Sequence, residues 1–560
     1  MARLKYACDF ETTTKLDDCR VWGYGIRQLY NKTNLIIGNT MDEFMEWCES
    51  VEADLYFHNL KFDGSFIVNW LLHNGFTYSK TPQARTFNVL ISRMNSWYMI
   101  DICYGYKGKR KLHTVIYDSL KKLPFTIKEV AKAFNLEVMK GDIDYNKERP
   151  PGYEITDDEK EYIKNDVEIL AQALEIQFDQ GLDKMTNGAD ALSDFKTTMD
   201  KKMFEKNFPV LALGIDENIR KAYRGGFTYV NPRFQNQVIE GGIVLDINSM
   251  YPAIMMNKEL PIGQPLPFSG KYEYDEEYPL YVQHISCEFD VKENMIPTIQ
   301  IKKNPMFKAT EYVRSTKGER VDLYLSSVDM ELFLEHYDVY DINYGNGFKF
   351  RSATGMFKEY IEKWTEVKVN NTGAIRLLAK LMLNSLYGKF GSNPDVTGKE
   401  PYLDEDGSNK FREAEEEIKD PVYIPMGLFI TSYGRDQIIR TAQSVYDRFI
   451  YCDTDSVHLT GEDVPKELKD YIHPTELGKW DLEGYYERGR YLRAKTYAHE
   501  YLQDDGSLKT KVTCAGMPDE LKKQATIETF QPGFSGYGRL MPKQVEGGVV
   551  LVDTIFTLKG

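Results

Sequence analysis

Short apolar strands alternating with helical segments at the N-terminus, a later stretch mixing strands with longer helices, and a length of 560 residues predict a multidomain chain of α/β and α+β character. The length implies about three or four domains, and 42% hydrophobic residues suffice to build their cores. In residues 1 to about 185 the strands are LKYACDF (4–10), ADLYFHN (53–59), WYMIDICYGY (97–106) and HTVIYDS (113–119), with MDEFMEWCESV (41–51) as a helix. A second unit begins near residue 190. Residues 392–425, dense in Pro, Gly, Asn and Asp, read as an inserted loop or hairpin, and GGVVLVDTIFTLKG (547–560) as a final strand or hairpin. There is no internal repeat and no low-complexity tract.

Composition narrows the classes. Cys8, Cys19, Cys48, Cys103, Cys287, Cys452 and Cys514 are scattered and form no C-x-x-C pair, which argues for a reduced compartment and against a zinc module. MARLKYACDF has no apolar core of a leader, and no uncharged apolar stretch of about 18 residues occurs, so a soluble, intracellular protein without a membrane segment is the expectation. A net charge of −15 argues against a nonspecific nucleic-acid coat protein. Four basic runs interleaved with aromatics, YGYKGKRKLH (104–113), SLKKL (119–123), IQIKKN (299–304) and ERGRYLRAKTY (487–497), nevertheless fit a basic track leading to metal sites, although a solvated face explains any one of them alone.

The N-terminal unit carries acids in a fixed order. Asp9 and Glu11 share one side of a strand, FHNLKFDGSF (57–66) supplies Asp63, and EYIKNDVEIL (161–170) supplies Tyr162 and Asp166 on one helical face. Four acids and a phenol suit two metal ions about 3.5–4 Å apart, the phenol orienting a water that attacks a phosphodiester. Single acids are common on surfaces; the signal is the order D-x-E, N-x-x-x-D, Y-x-x-x-D.

The second unit repeats the logic. In YCDTDSVHLT (451–460), Asp453 and Asp455 interrupt an apolar run. Residues i and i+2 of an extended chain point to one side, within about 7 Å, and like charges that close require a cation between them. Two strands meeting at Thr454 would present both acids to a hard divalent ion. A surface turn satisfying local donors is the competing account. GGIVLDINSMYP (241–252) is a strand ending in Asp246, a third carboxylate, followed by Asn248 and Ser249 as helix-starting residues whose free N–H groups suit a triphosphate. In isolation an ordinary capped turn explains it equally well. In AKLMLNSLYGKF (379–390), Lys380, Asn384 and Tyr387 fall on one helical stripe, a cation for phosphate and a flat ring for base or sugar. The alternative is a solvated face with Gly388 as C-cap.

In order, DINSMYP, KLMLNSLYG, YCDTDS and KTY resemble the polymerisation motifs of B-family DNA polymerases, and DFE, NLKFDG and YIKND resemble their 3′–5′ proofreading exonuclease motifs. The likeness runs on through YFHNLKFDG, YDSLKKLPF, KGDIDY, AYRGGFT and NPDVTGK, covers nearly the whole chain, and is to the protein-primed polymerases of small Bacillus phages, the phi29-type enzymes. It implies an RNase H-like 3′–5′ exonuclease domain at 1–187 and a right-hand polymerase domain at 188–560. Within the latter it implies a palm (188–257, 356 and 425–514), a first insertion that docks the priming protein (258–355), fingers (357–393), a second insertion (394–424) and a thumb (515–560). Also implied are Mg²⁺, two ions per active site with Mn²⁺ as substitute, and as partners primer-template and single-stranded DNA, deoxynucleoside triphosphates and a terminal (priming) protein. The expected setting is a monomer in the host cytoplasm, replicating a linear phage genome processively with strand displacement.

Residue by residue, the resemblance makes Asp246 and Asp455 polymerase metal ligands, with Asp453 beside them and the Ile247 carbonyl completing a shell. Tyr251 sits beneath the sugar and excludes a 2′-hydroxyl, Lys368 and Lys380 hold phosphates, and Asn384 and Tyr387 face the nucleotide. Lys495 and Tyr497 grip the primer end, and Tyr223, Gly225 and Gly226 lie where DNA passes between the two sites. In the exonuclease, Asp9, Glu11, Asp63 and Asp166 match the metal-binding acids, Asp142 is a weaker metal contact, Tyr162 positions water and Lys140 assists. Thr12, His58, Asn59, Phe62, Ser119, Leu120 and Tyr145 match residues that hold a frayed single strand. Met250 stands where Leu is usual, and the segment from Tyr497 to Cys514 is shorter than in relatives, which leaves its course open. A nuclease alone needs only residues 1 to about 185, and a noncatalytic binder needs neither acid cluster.

Overall fold

Alternation along the strand Leu4–Thr12 sets the architecture of the N-terminal unit. Tyr6, Cys8 and Phe10 enter a core with Phe44 and Cys48 of the helix Met41–Ser50 and Phe66 and Leu71 of the helix Leu60–His73. Ala7 joins the opposite core with Val167 and Leu170 of the long helix Asp157–Asp179. Period two therefore turns Asp9 and Glu11 toward that long helix. In the computed structural model, which describes residues 3–302 and 304–560, this strand is third in an eight-stranded mixed sheet. The order is Leu35–Gly38, Val21–Gln28, Leu4–Thr12, Ala53–Phe57, Arg110–Asp118, Trp97–Lys107, Thr86–Ile91, Thr77–Tyr78. Leu4–Thr12 and Arg110–Asp118 both run parallel to Ala53–Phe57, so three strands end at one edge. Val21–Gln28 escapes a pattern-based reading because Gly23 and Gly25 interrupt its apolar run. A Cβ on Gly25 would lie 2.7 Å from Ile163 of the long helix, so close packing requires glycine there.

The second unit is built on a seven-stranded antiparallel sheet, ordered Leu508–Cys514, Thr496–Leu502, Trp480–Arg493, Val238–Ile247, Ser456–Thr460, Phe449–Asp453, Thr228–Val230. The helix Ile424–Ser444, buried along most of its length, packs on the helices Met250–Asn257 and Gly373–Phe390. The last of these pairs with Lys358–Asn370. Between Tyr497 and Cys514 the chain is a regular hairpin, paired from Thr496↔Cys514 to Leu502↔Leu508. A shorter segment costs only hairpin length and leaves the sheet intact.

Residues 260–353 form a separate four-stranded sheet with its own core and the helix Ser327–His336. Residues 399–413 form a hairpin, Lys399–Leu403 with Asn409–Glu413, and the chain ends in another, Ser535–Val545 with Gly548–Thr557. These two hairpins and the N-terminal helix Leu60–His73 meet at one polar junction. Asn69 donates to the Gly407 carbonyl and the Asn409 side chain and accepts from the Gly547 N–H, while Gln544 donates to Ser65. The turns of two hairpins thus meet a helix of the N-terminal unit.

Candidate active sites

Two groups of acids lie on the two sheets. In the N-terminal group, oxygens of Asp9, Glu11 and Asp166 all fall within 4.8 Å of one another. The strand places the first two by alternation. The long helix, started by a capping box of Thr156 and Glu159, delivers Tyr162 and Asp166 one turn apart. Asp166 accepts from Lys140 Nζ at 2.6 Å through one oxygen; the other is buried with no hydrogen-bond partner. Burial pushes Asp9 up to about 7, with Asp166 adding repulsion and Lys140 opposing it. Burial and neighbouring carboxylates likewise raise Glu11 and Asp63. Asp63 adds repulsion from the helix Leu60–His73 but stands outside the three-oxygen cluster. Asp142, expected as a further contact, is exposed on the loop after Lys140 and also lies outside it. Tyr162 shares a 2.9 Å hydrogen bond with Tyr145, itself half exposed.

A cleft of about 850 Å³ runs from Asp9, Lys140 and Asp166 past His58, Asn59 and Leu120. His58 is held between Ser119 Oγ at 3.0 Å and the Phe125 carbonyl at 2.7 Å. Asn59 has a left-handed backbone (φ 69°) and makes no side-chain cap, so its amide is free for the cleft. One acid that lies in YDSLKKLPF without an expected role organises this wall: a single oxygen of buried Asp118 accepts the N–H groups of Asn59, Leu60 and Leu120 at 3.0, 3.2 and 3.1 Å. Phe62 packs on Phe66, and a bulge between Glu11 and Thr12 re-aims Thr12 from the strand it ends.

On the central sheet, Asp246 pairs in register with Ser456 and Asp481, and the Ile247 N–H donates to the Asp455 carbonyl at 2.8 Å. Burial, then Asp455 and Glu483, push Asp246 up to about 7, against Lys380; Asp455 is raised by burial as well. The backbone between the two acids departs from the expected geometry. The i, i+2 argument assumes an extended chain, but Thr454 at the tip has φ 60°; Asp453 is in register with Ser456, as is Asp246, and its charge raises Asp455. The Asp453 carboxylate takes Lys495 Nζ at 2.9 Å on both oxygens and Thr228 Oγ1 at 2.9 Å.

The helical stripe faces this edge. Lys380 and Asn384 are exposed, and Tyr387 stacks on buried Tyr251 with ring centroids 4.1 Å apart. Gly226 and Gly434 leave space for Tyr251: a Cβ on either would stand 3.1 or 3.0 Å from it. Met250 packs beside Gly434, and Tyr223 fills the place a side chain on Gly391 would need. Gly225 offers its carbonyl to Arg435 at 2.7 Å. Tyr497 packs on Tyr451 at 5.2 Å. Ser249 stands at the N-cap of the helix that starts at Met250, as the sequence implies, but with φ 49° its hydroxyl makes no capping bond and instead accepts from Lys368 at 3.2 Å. Gly388 is inside the helix, which runs to Phe390 and is capped at Gly391. Arg376, which no motif marks, donates to the Lys368 carbonyl at 2.9 Å, and with Lys380 it lowers the Lys368 ammonium already depressed by burial.

Several cations of the basic runs are paired within the fold. Arg110 pairs with Glu52, Lys111 with Asp101, buried Lys122 with Asp190, and Arg488 with Glu500 and Glu528, so these charges are neutralised within the fold. Lys303 of the third run lies outside the described residues.

Two acid centres on two sheets, one beside a cleft and one facing a cationic helix stripe, define an enzyme of phosphodiester chemistry. A family model described as DNA polymerase type B, organellar and viral, matches residues 46–474. The chain belongs to the B-family DNA polymerases. It is 58% identical to the DNA polymerase of Bacillus phage B103 over 572 aligned positions, covering 100% of both chains, and 57% identical to that of Bacillus phage phi29 with the same coverage. The solved structure of phi29 DNA polymerase complexed with primer-template DNA and incoming nucleotide substrates matches with a TM-score of 0.96 at 56% identity, covering 100% of each chain.

Proposed function

We propose that this DNA polymerase extends a primer 3′-hydroxyl, or a hydroxyl of a priming protein, at Asp246 and Asp455, and proofreads 3′ ends at Asp9, Glu11, Asp63 and Asp166. The observation that carries the reading is a matched pair of carboxylates, Asp9 and Asp246, each pushed up to about 7 in its own site by burial and like charge. Such sites favour a hard divalent cation over mutual repulsion. The unpartnered, buried Asp166 oxygen and the three converging donors of its cluster fit one. When bound, Mg²⁺, two ions per site with Mn²⁺ as substitute, supplies charge neutralisation and Lewis-acid polarisation of phosphoryl oxygens. Asp246 and Asp455 would hold it in one site, with Asp453 and the Ile247 carbonyl at the margin. The four N-terminal acids would hold it in the other, with Asp142 peripheral.

The chain's own residues do the rest. Lys368, Arg376 and Lys380 receive the triphosphate, Tyr387 and Asn384 face the nucleotide, and the Tyr251 ring occupies the space a 2′-hydroxyl would need. Lys495 and Tyr497 grip the primer end. In the exonuclease Tyr162 orients the attacking water, Lys140 assists, and Thr12, His58, Asn59, Phe62, Ser119, Leu120 and Tyr145 hold the single strand along the cleft. Phi29 DNA polymerase has been solved with single-stranded DNA, which supports that use of the cleft. DNA passes between the sites along Tyr223, Gly225 and Gly226.

In this reading residues 1–187 are the exonuclease and 188–560 the polymerase, with palm, fingers and thumb as set out from the sequence. Insertion 258–355 docks the terminal protein. Insertion 394–424 closes on the thumb at the Asn69 junction, giving processivity and strand displacement to a monomer working in the host cytoplasm. Among the described residues no helix is long and apolar enough to cross a membrane. Incubation with primer-template, Mg²⁺ and labelled nucleotides tests the reading. Extension with trimming when nucleotides are withheld supports it, and trimming alone or binding without chemistry overturns it. Covalent transfer of a nucleotide to a purified partner protein tests priming.

A further inference from the structure

Beneath the hairpin bearing Asp453 and Asp455 lies a buried cluster that the proposed chemistry does not use. His458 and His499 are 2% and 3% exposed, and Tyr491 between them is fully buried. Two glycines make room for it. A Cβ on Gly242 would collide with Tyr486, and one on Gly489 would stand 2.8 Å from the same ring. His499 stacks on Tyr486 with centroids 4.1 Å apart and planes 4° from parallel.

Proton accounting gives the cluster a direction. Tyr491 donates its one hydroxyl proton to the Tyr486 hydroxyl at 3.1 Å. Its oxygen therefore accepts from both imidazoles, His458 Nδ1–H at 2.9 Å and His499 Nε2–H at 2.7 Å. With Nε2 protonated, His499 Nδ1 accepts from the Tyr501 hydroxyl at 3.2 Å. The pattern needs neutral rings, and burial supplies them, holding His458 down to about 3 and His499 well below its ordinary value.

The cluster reaches the catalytic hairpin through packed rings. Tyr491 stacks on Tyr497 at 5.5 Å, and Tyr451 packs on both, at 5.5 and 5.2 Å. The Tyr451 hydroxyl accepts the Lys495 N–H at 3.0 Å and donates to Asp453 Oδ2 at 3.3 Å. Lys495 itself has φ 54°, a backbone state that holds a non-glycine residue only where its surroundings fix it.

We propose that His499 is a positioning residue for the primer end. By fixing Tyr491 it sets the ring platform under Tyr451 and Tyr497, and through them the place from which Lys495 works. The inference rests on the reading of Lys495 and Tyr497 as primer-gripping residues. A loosened platform releases the primer 3′ end from the polymerisation site more often, and trimming gains at the expense of extension.

The test measures the nucleotide concentration at which extension balances trimming on a primer-template, beside the rate of trimming of a single-stranded oligonucleotide. His499→Leu should raise the balance concentration about fivefold, the scale of one lost internal hydrogen bond, and leave single-strand trimming unchanged. His499→Gln should restore the balance, because its amide donates to Tyr491 and accepts from Tyr501. Tyr501→Phe removes the donor to Nδ1 with little change of volume and should shift the balance in the same direction by less; it decides the matter if His499→Leu does not fold. An unchanged balance in the folded variants, or a Gln variant no better than Leu, overturns the inference. Lys495→Ala is the reference. If it leaves the balance unchanged, the reading of Lys495 falls and the inference with it; if it shifts the balance and His499→Leu does not, the inference alone falls.

Discussion

Replacing Asp9 with Asn should stabilise the metal-free chain at alkaline pH while abolishing 3′ trimming. Asp9 is pushed from its ordinary 3.8 up to about 7, first by burial and then by Asp166. Between about pH 4 and 7 the folded chain holds a proton that the unfolded chain has released, so stability falls as pH rises through that window. Above about pH 7 the loss is complete. About three pH units at about 1.36 kcal/mol each set an upper limit near 4 kcal/mol. Asp9→Asn has no charge to desolvate, and it also relieves the repulsion that Asp9 exerts on Glu11 and Asp63. For a unit of roughly 190 residues each kcal/mol moves the midpoint by about 2–4 °C, so a rise of several degrees is expected in the transition of the N-terminal unit. Scanning calorimetry in EDTA at about pH 5.5 and 8.5 reads it, the first value inside the window and the second above it. Wild type should lose stability between the two and the variant should lose less. Added Mg²⁺ should raise the wild type more than the variant, because an ion bound only by the folded state stabilises it. A variant no more stable than wild type at the higher pH in EDTA would refute the account of a strained carboxylate cluster.

Asp455→Ala should abolish extension and leave trimming intact, since the two acid groups sit on separate sheets; equal loss of both in a folded variant would count against two sites. Tyr251→Val should raise ribonucleotide incorporation, because exclusion depends on the bulk of a ring braced on Tyr387 and given room by Gly226 and Gly434; unchanged discrimination in a sugar-competition assay would make Tyr251 a packing residue. Replacing residues 394–420 with a short Gly/Ser linker should keep extension on a short primed template but shorten products on a long circle and stop synthesis through duplex. Tyr423 must stay, because it is buried and donates to the Gly263 carbonyl at 2.8 Å. Products of full length from single binding events would make the insertion dispensable.

The features legible in the sequence were those whose physics is local. Strand alternation put Asp9 and Glu11 on one face, helical spacing put Tyr162 with Asp166 and Lys380 with Asn384 and Tyr387, and apolar runs marked the strands that carry them. The left-handed turn at Thr454 was not legible, because a single residue with positive φ leaves no mark on apolar spacing. Asp118 and Arg376 carried no expected role because each acts through main-chain groups of another element, the N–H groups of Asn59 and Leu60 in one case and the Lys368 carbonyl in the other. The basic runs show a related limit. A run of lysines and arginines shows charge but not the carboxylates, such as Asp190 and Glu500, that folding sets against it.

That neutralisation bears on how an acidic chain keeps hold of a polyanion. With 85 acidic against 70 basic side chains, long-range attraction cannot retain DNA, and many of the cations that might have done so are already paired. Binding must then rest on a few local cations at the site and on enclosure. The Asn69 junction joins amide and main-chain hydrogen bonds to apolar packing, with Val549 buried in the N-terminal core and Phe411 set edge-on against Trp97. Parting such a seam would expose apolar surface, so the packing favours a closed arrangement. On the reading proposed above, charge and topology would divide the work: repulsion would discourage nonspecific binding, and closed arms would oppose dissociation once a primer end is seated.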